Sequence, residues 1–384
     1  MPLIIAHRGA SAFRPEHTLE AYELAIDLGA DFIEPDLVVS RDRVLVARHE
    51  NELSETTNVA EIDDFFERKT TKIIDGNSVT GWFAEDFTLA ELKTLRVKER
   101  IPNIRPNNKQ FDGLFEIPTF KEIIDLVKNK SKKIGRNIGI YPETKHPTFF
   151  DKEGRFFTGI ENDKLINICL GELLINTLIA ENFINPDYIF IQSFEFENLI
   201  KLKTKILPKF CLNIPLIQLY GSTILPAKNS FQYPYDIIYN HRKGVDMLEI
   251  YGGLIDSYKN SLSDKIIGYG NLNNLESLQY ISETYADGIG VWKNSILPRT
   301  SIDKNSKIST KLTGEITSFV ENAHQAGLLV HCYTLRPEEE YLTLNTDEKV
   351  QTMREEIEQL MKIGVDGFFC DDPATCLQQV TINY

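Results

Sequence analysis

Apolar positions along the chain come in short runs rich in β-branched and aromatic residues, separated by stretches whose apolar positions repeat at helical spacing. Runs of the first kind read as strands. Nine are predicted, centred on residues 3–6, 32–36, 44–48, 138–142, 188–192, 211–219, 286–291, 328–333 and 366–370. Helical patterns lie between most of them. Thr18 stands where the first helix needs an N-cap, and Gly29 where it ends. Thr88 with Glu91, and Thr119 with Glu122, have the Thr-x-x-Glu spacing of a capping box. Gly327 closes a helix just ahead of the strand at Leu328.

Strand–helix alternation implies parallel strands. The third run is an exception. The few residues between Asp36 and Val44 are too short for a parallel crossover, which needs a dozen or more. Val44–Arg48 is therefore expected to fold back on the second strand as a hairpin. Eight parallel strands remain, the number that closes a TIM (β/α)8 barrel. The segment from about 51 to 115 carries Asn, Pro, charge and a short helix and fits no βα unit. It reads as an insertion over one barrel face, so the expected organisation is a single α/β domain over 1–384.

Composition narrows the partners. The chain has 384 residues, 42% of them hydrophobic, enough for a large core. Its net charge of −14 disfavours nucleic acid and anionic membrane as partners. It does not prevent one small site from being electropositive around a bound cation. No window reaches the ~20 apolar residues of a membrane span. The start lacks the basic n-region of a signal peptide, so the chain as given reads as cytoplasmic, or as periplasmic or secreted if a leader has been removed. Five cysteines, Cys169, Cys211, Cys332, Cys370 and Cys376, include no pair at zinc-finger spacing. Those in strand-like runs read as small buried hydrophobes, and the odd count suits a reducing compartment.

The chemistry is concentrated where predicted strands end, which in a TIM barrel is the active-site face. His7 and Arg8 end the first strand, Glu34 and Asp36 the second, His49 the hairpin strand, Glu143 and Lys145 the next, and Gln192 with Ser193 the one after. Glu34 and Asp36 are two apart and point the same way on a strand. Like charges on one face repel unless a cation lies between them or one is protonated. With Glu143 they form an oxygen-rich set suited to a hard divalent cation, Ca²⁺ or Mg²⁺. His7 and His49 are the candidate general acid and base, since histidine titrates near neutral pH. Arg8 and Lys145 suit a phosphate anion. Taken singly, each of these acids fits an ordinary loop residue and each histidine a core residue. His17, His146, His241, His324 and His331 have weaker claims.

These residues sit in motifs. His7-Arg8-Gly9-Ala10-Ser11, Pro15-Glu16-His17-Thr18, and Gly29-Ala30-Asp31-Phe32-Ile33-Glu34-Pro35-Asp36-Leu37 resemble the opening of the glycerophosphodiester phosphodiesterases, closest to the bacterial periplasmic type. Tyr141-Pro142-Glu143-Thr144-Lys145, Ala286-Asp287-Gly288-Ile289-Gly290, Lys311-Leu312-Thr313-Gly314, Val330-His331-Cys332-Tyr333-Thr334 and Val365-Asp366-Gly367 with Asp372-Pro373 are similar to later segments of that family. The resemblance implies a TIM barrel of the phospholipase-C-like phosphodiesterase type. It implies a divalent cation on Glu34, Asp36 and Glu143, His7 and His49 as acid–base pair, and Arg8 and Lys145 on phosphate. The implied reaction turns a glycerophosphodiester such as glycerophosphocholine or glycerophosphoethanolamine into sn-glycerol 3-phosphate and an alcohol. One departure is Glu50, where the family usually has Asp; the added methylene displaces a carboxylate by about 1.5 Å. Two other readings remain: a lysophospholipid or sphingolipid phosphodiesterase, for which Phe149, Phe150, Phe156 and Phe157 within 149–160 offer an aromatic lining, and a homologue that binds metal and phosphate without turnover.

Overall fold

Two prolines shape the strands that carry the site. The computed structural model describes residues 1–157, 159, 164–224, 232–255, 267–302 and 307–383. In it β1 (Leu3–His7) leads to helix α1 (Leu19–Asp27), and the second predicted strand is divided at Pro35 into β2 (Phe32–Glu34) and β3 (Asp36–Val39). β4 (Leu45–Ala47) runs antiparallel to β3, with Val38 opposite Val46, as the short connection requires. Within the predicted insertion lie β5 (Thr70–Ile74), β6 (Asn77–Gly81) and α2 (Leu89–Leu92). After it come α3 (Phe120–Ile134), β7 (Gly139–Ile140) and β8 (Glu143–Thr144), the last two separated by Pro142.

The chain packs as two compact units, Ala6–Ile191 with Ile206–Ile214, and Met1–Ile5 with Gln192–Lys205 and Pro215–Tyr384. In the first, β2 pairs in parallel with β7 and β3 with β8. A proline lacks the N–H a ladder needs, so each strand breaks at its proline. The ladder resumes past it through Glu143 N–H to Pro35 O at 3.0 Å and Lys145 N–H to Leu37 O at 3.1 Å. Helix ends follow the predicted caps. Thr18 accepts from Ala21 N–H, and both Thr88–Glu91 and Thr119–Glu122 form reciprocal capping boxes. Helix α3 buries Phe120, Ile123, Ile124 and Val127, a stripe at helical spacing, each side chain contributing roughly 1.5–3 kcal/mol.

The segment at 51–115 holds more regular structure than its single predicted helix. Strands β5 and β6 form a hairpin whose tip, Asp75 and Gly76, has φ of 47° and 78°. A two-residue Asp-Gly turn with both φ positive matches the twist of a hairpin. Lys72 anchors it, with Nζ 2.9 Å from Glu85 Oε1 and 2.7 Å from Asp86 Oδ2, both carboxylates buried.

β9 (Ile191–Ser193) lies where the run at 188–192 is predicted, and the second unit has β10 (Leu216–Tyr220) and β11 (Gly288–Trp292) in parallel. After β12 (Arg299–Ser301) and β13 (Thr310–Leu312), β14 (Leu329–Leu335) pairs in parallel with β11. Beyond β15 (Thr343–Leu344) and β16 (Val350–Gln351), β17 (Gly367–Cys370) pairs in parallel with β14. Strands β12, β13, β15 and β16 form a separate small sheet that periodicity does not predict, because runs of two or three residues have no measurable period. The strand predicted at 211–219 starts only at Leu216, so Cys211 is an exposed turn residue and not a buried one. Cys332 and Cys370 are buried as expected. His324 lies on a helix and pairs with Asp366 at 2.9 Å, and His331 is buried within β14. No helix among the described residues is long and apolar enough to cross a membrane.

Asp236 in this unit has a measurable consequence. It is fully buried and accepts from Glu197 N–H at 2.7 Å and Tyr251 O–H at 3.1 Å. Burial pushes its carboxyl up from 3.8 to about 7. The unfolded chain then ionises first. The contribution of Asp236 to stability is full below about pH 4, declines between about 4 and 7, and stays low above that. Asp236→Asn is expected to flatten this slope and raise the melting temperature at pH 8 but not at pH 4. The gain is at most about 4 kcal/mol. Equal shifts at both pH values would show that burial does not hold Asp236 protonated in the folded protein.

Candidate active site

The register of β3 against β8 builds the site. Asp36 is the ladder partner of Glu143, so their side chains leave adjacent strands side by side. Glu34, at the end of β2, joins them, and carboxylate oxygens of all three lie within 4.8 Å of one another. All three residues are buried. Burial and the neighbouring carboxylates push Glu34 well above the ordinary range, and burial with Asp36 raises Glu143 to about 8. Asp36 goes the other way: burial works against it, but Lys145, His49 and His17 outweigh that and hold it well below the usual range. Such a set cannot carry three negative charges near neutral pH unless a cation joins it. Three hard oxygen donors in mutual reach fit a divalent cation.

The chain turns sharply where β1 ends. Arg8 has a φ of 58° and Gly9 of 90°. A Cβ at Gly9 would lie 2.7 Å from the backbone of Ala21, so glycine is required there. The turn aims Arg8 N–H at Glu34 Oε2, at 2.8 Å. The Arg8 guanidinium has its Nε 3.5 Å from Asp36 Oδ2 and 3.2 Å from His7 Nε2, and its Nη1 3.1 Å from Glu16 Oε1. On the other side Lys145 Nζ lies 2.8 Å from Glu143 Oε1 and 3.3 Å from His49 Nε2. His49 Nδ1 faces Glu50 Oε1. Burial and the cations Arg8 and Lys145 push His49 well below the ordinary histidine value, against the pull of Glu50.

All seven residues singled out in the sequence, His7, Arg8, Glu34, Asp36, His49, Glu143 and Lys145, thus meet in one connected cluster inside the first unit. Three others join them: His17, to which the sequence gives a weaker claim, and Glu16 and Arg100, to which it assigns no role. His17, with φ 54°, bridges Asp36 Oδ2 at 2.9 Å and the Tyr22 hydroxyl at 2.7 Å from a fully buried position. Burial holds it below the ordinary value, which leaves a neutral ring donating through Nε2 and accepting from Tyr22. Glu16 binds Arg8, and Arg100, from the insertion, binds Glu16 and Glu50. The Pro-Glu-His-Thr motif signalled Glu16 and His17; nothing near Arg100 in sequence signalled it. His146, which follows Lys145, holds the hairpin tip through Asp75 Oδ2 at 2.6 Å. Of the aromatic segment, Phe149 and Phe150 are core residues and Phe156 and Phe157 are half-buried, while residues 158 and 160 lie outside the described residues.

Three clustered carboxylates flanked by imidazoles, a guanidinium and an ammonium, at the ends of parallel strands, fit a class: enzymes that hydrolyse phosphate esters on an α/β barrel. Within that class the chain belongs to the glycerophosphoryl diester phosphodiesterase family, whose sequence profile matches residues 7–233 and 268–375. It is 33% identical over 371 residues to a glycerophosphodiester phosphodiesterase of Arabidopsis thaliana, covering 96% of this chain and 83% of that one. A solved structure from Silicibacter pomeroyi matches with a TM-score of 0.59 at 16% identity, covering 100% of this chain and 94% of the other. A phosphodiesterase of Oleispira antarctica, solved in complex with the product sn-glycerol-3-phosphate, matches with a TM-score of 0.50 at 17% identity over 99% of this chain and 97% of that one. These likenesses show the fold, an α/β barrel of the TIM type.

Proposed function

We propose that this protein hydrolyses glycerophosphodiesters, such as glycerophosphocholine and glycerophosphoethanolamine, to sn-glycerol 3-phosphate and an alcohol. The observation that carries the reading is the meeting of Glu34, Asp36 and Glu143 within 4.8 Å, with Lys145 Nζ placed between Glu143 and His49. Glu34, Asp36 and Glu143 would hold a hard divalent cation, Ca²⁺ or Mg²⁺, which would supply charge neutralisation for the phosphodiester. Arg8 and Lys145 bind the phosphate, the first by its planar fork and the second as a point charge. His49 gives its Nδ1 hydrogen to Glu50, which makes Nε2, the atom that accepts from Lys145 Nζ, the one that takes a proton from the nucleophile. His7 returns one to the leaving alkoxide. His17 orients Asp36 from beneath.

The test follows glycerophosphocholine by phosphorus NMR with Ca²⁺ or Mg²⁺ and then with excess chelator. The expected result is glycerol 3-phosphate with cation and no turnover with chelator. Transient cyclic phosphate would assign the nucleophile to the substrate's own glycerol hydroxyl, a route cheap in entropy. Absence of any phosphodiester cleavage with either ion would remove the proposal.

A further inference from the structure

The insertion sends one arginine into the cluster. Arg100 sits on a pinned stretch of backbone: Glu99 N–H donates to Asp112 Oδ1 at 2.7 Å, Ile101 N–H to Glu99 Oε1 at 3.0 Å, and Asn108 Nδ2 to Glu99 Oε2 at 2.8 Å. Its side chain is 17% exposed. It grips Glu16 with two donors, Nε to Oε2 at 3.0 Å and Nη2 to Oε1 at 2.7 Å, and Nη2 also lies 2.6 Å from Glu50 Oε2. The other oxygen of Glu50 faces His49 Nδ1. Glu16 in turn accepts from Arg8 Nη1 through both its oxygens, at 3.1 and 3.2 Å. Arg8, Glu16, Arg100 and Glu50 therefore form a chain of alternating sign that ends on an imidazole.

This arrangement answers a problem set by Glu50. A carboxylate on His Nδ1 fixes the ring's tautomer and orientation, leaving Nε2 for proton transfer. Glutamate has one more rotatable bond than aspartate and loses more freedom when held in one place. A second anchor removes that freedom. Arg100 is such an anchor, and its own position is set by Glu16 and the pinned backbone. A guanidinium suits the task because its planar donors reach two carboxylates at once, where an ammonium acts as a single point charge.

We propose that Arg100 is a positioning residue of the hydrolytic reaction, acting through Glu50 on His49, so that the insertion completes the active site. The inference rests on the proposed role of His49. It assigns a function to the segment around residue 100 that neither the motifs nor the family match carries.

Five purified proteins test it, the parent, R100Q, R100K, H49A and the R100Q/H49A double variant, by steady-state kinetics on glycerophosphocholine with Ca²⁺. R100Q is expected to lose about 10–100-fold in kcat, the usual effect of a residue that orients another. KM should stay within about threefold, and the stabilisation of R100Q by Ca²⁺ should match the parent's. In the H49A background, R100Q should cost less than about threefold more, because residues acting as one unit are not additive. In ¹⁵N spectra of the His49 ring, Nδ1 should carry the proton in the parent, and R100Q should shift both nitrogens toward an averaged state. R100K keeps the charge and is expected to recover part of kcat, and it serves as the variant read if R100Q fails to fold. Unchanged kcat in R100Q, or in R100K where R100Q does not fold, or losses that multiply in the double variant, would overturn the role of Arg100 while leaving the hydrolase reading intact. Full activity of H49A would instead remove the reading on which this inference depends.

Discussion

His49→Ala is expected to slow glycerophosphocholine turnover by about 10²–10⁴-fold, the range for loss of a positioned proton-transfer group. The ring is 30% exposed and contacts Glu50 and Lys145, so its removal leaves no unfilled core and the fold should survive. Steady-state kcat at saturating Ca²⁺ measures the effect, with circular dichroism as the control for folding. The companion change His7→Ala separates the two roles. If His7 protonates the leaving group, H7A should recover much of its loss on an activated p-nitrophenyl diester, whose leaving group needs no proton. H49A should not. The opposite pattern would exchange the two assignments, and activity of H49A within a few-fold of the parent would end its catalytic role.

Glu34→Gln should abolish the response to cation while barely changing the metal-free protein. Burial and the carboxylates of Asp36 and Glu143 push Glu34 well above the usual range. Burial disfavours its ionised form, and Gln keeps the shape of the uncharged one. The amide oxygen can still accept Arg8 N–H, as Glu34 Oε2 does at 2.8 Å. The melting temperature in chelator should therefore stay close to the parent's. A cation at a hundred times its dissociation constant stabilises the parent by about 2.7 kcal/mol. Loss of one of three ligands should weaken binding by more than the about 10–100-fold seen when a residue behind a ligand is removed. Melting curves with Ca²⁺, Mg²⁺ and chelator measure both effects. An undiminished Ca²⁺ shift in E34Q would place the ion elsewhere.

How much of this was legible in the sequence depends on range. Strand positions, the backward hairpin at Val44–Arg48 and the helix caps are local patterns, and the structure reproduces them within a few residues. The acidic set was legible because Glu34 and Asp36 are two apart and Glu143 follows a strand-like run. The Asp75–Gly76 turn was also legible, since Asp-Gly between β-rich runs is a hairpin signal; reading the segment as an insertion with only a short helix concealed it. The motif marked His17, but not its partner: the contact with Asp36 is made from a left-handed backbone that the sequence does not announce. Arg100 was beyond reach altogether. It lies 84 positions from Glu16, and no local rule pairs charges at that distance.

Asp36 and Glu143 stand directly opposite each other in the ladder, yet in the chain they flank the whole insertion. Side chains alternate faces along a strand, so a slip of one residue would turn one acid out of the cradle. Ca²⁺-induced thermal stabilisation is therefore a stringent gauge of native strand pairing. Screening a variant library or a refolding yield by that shift alone would count only molecules that threaded the entire segment between the two acids correctly, without any assay of turnover.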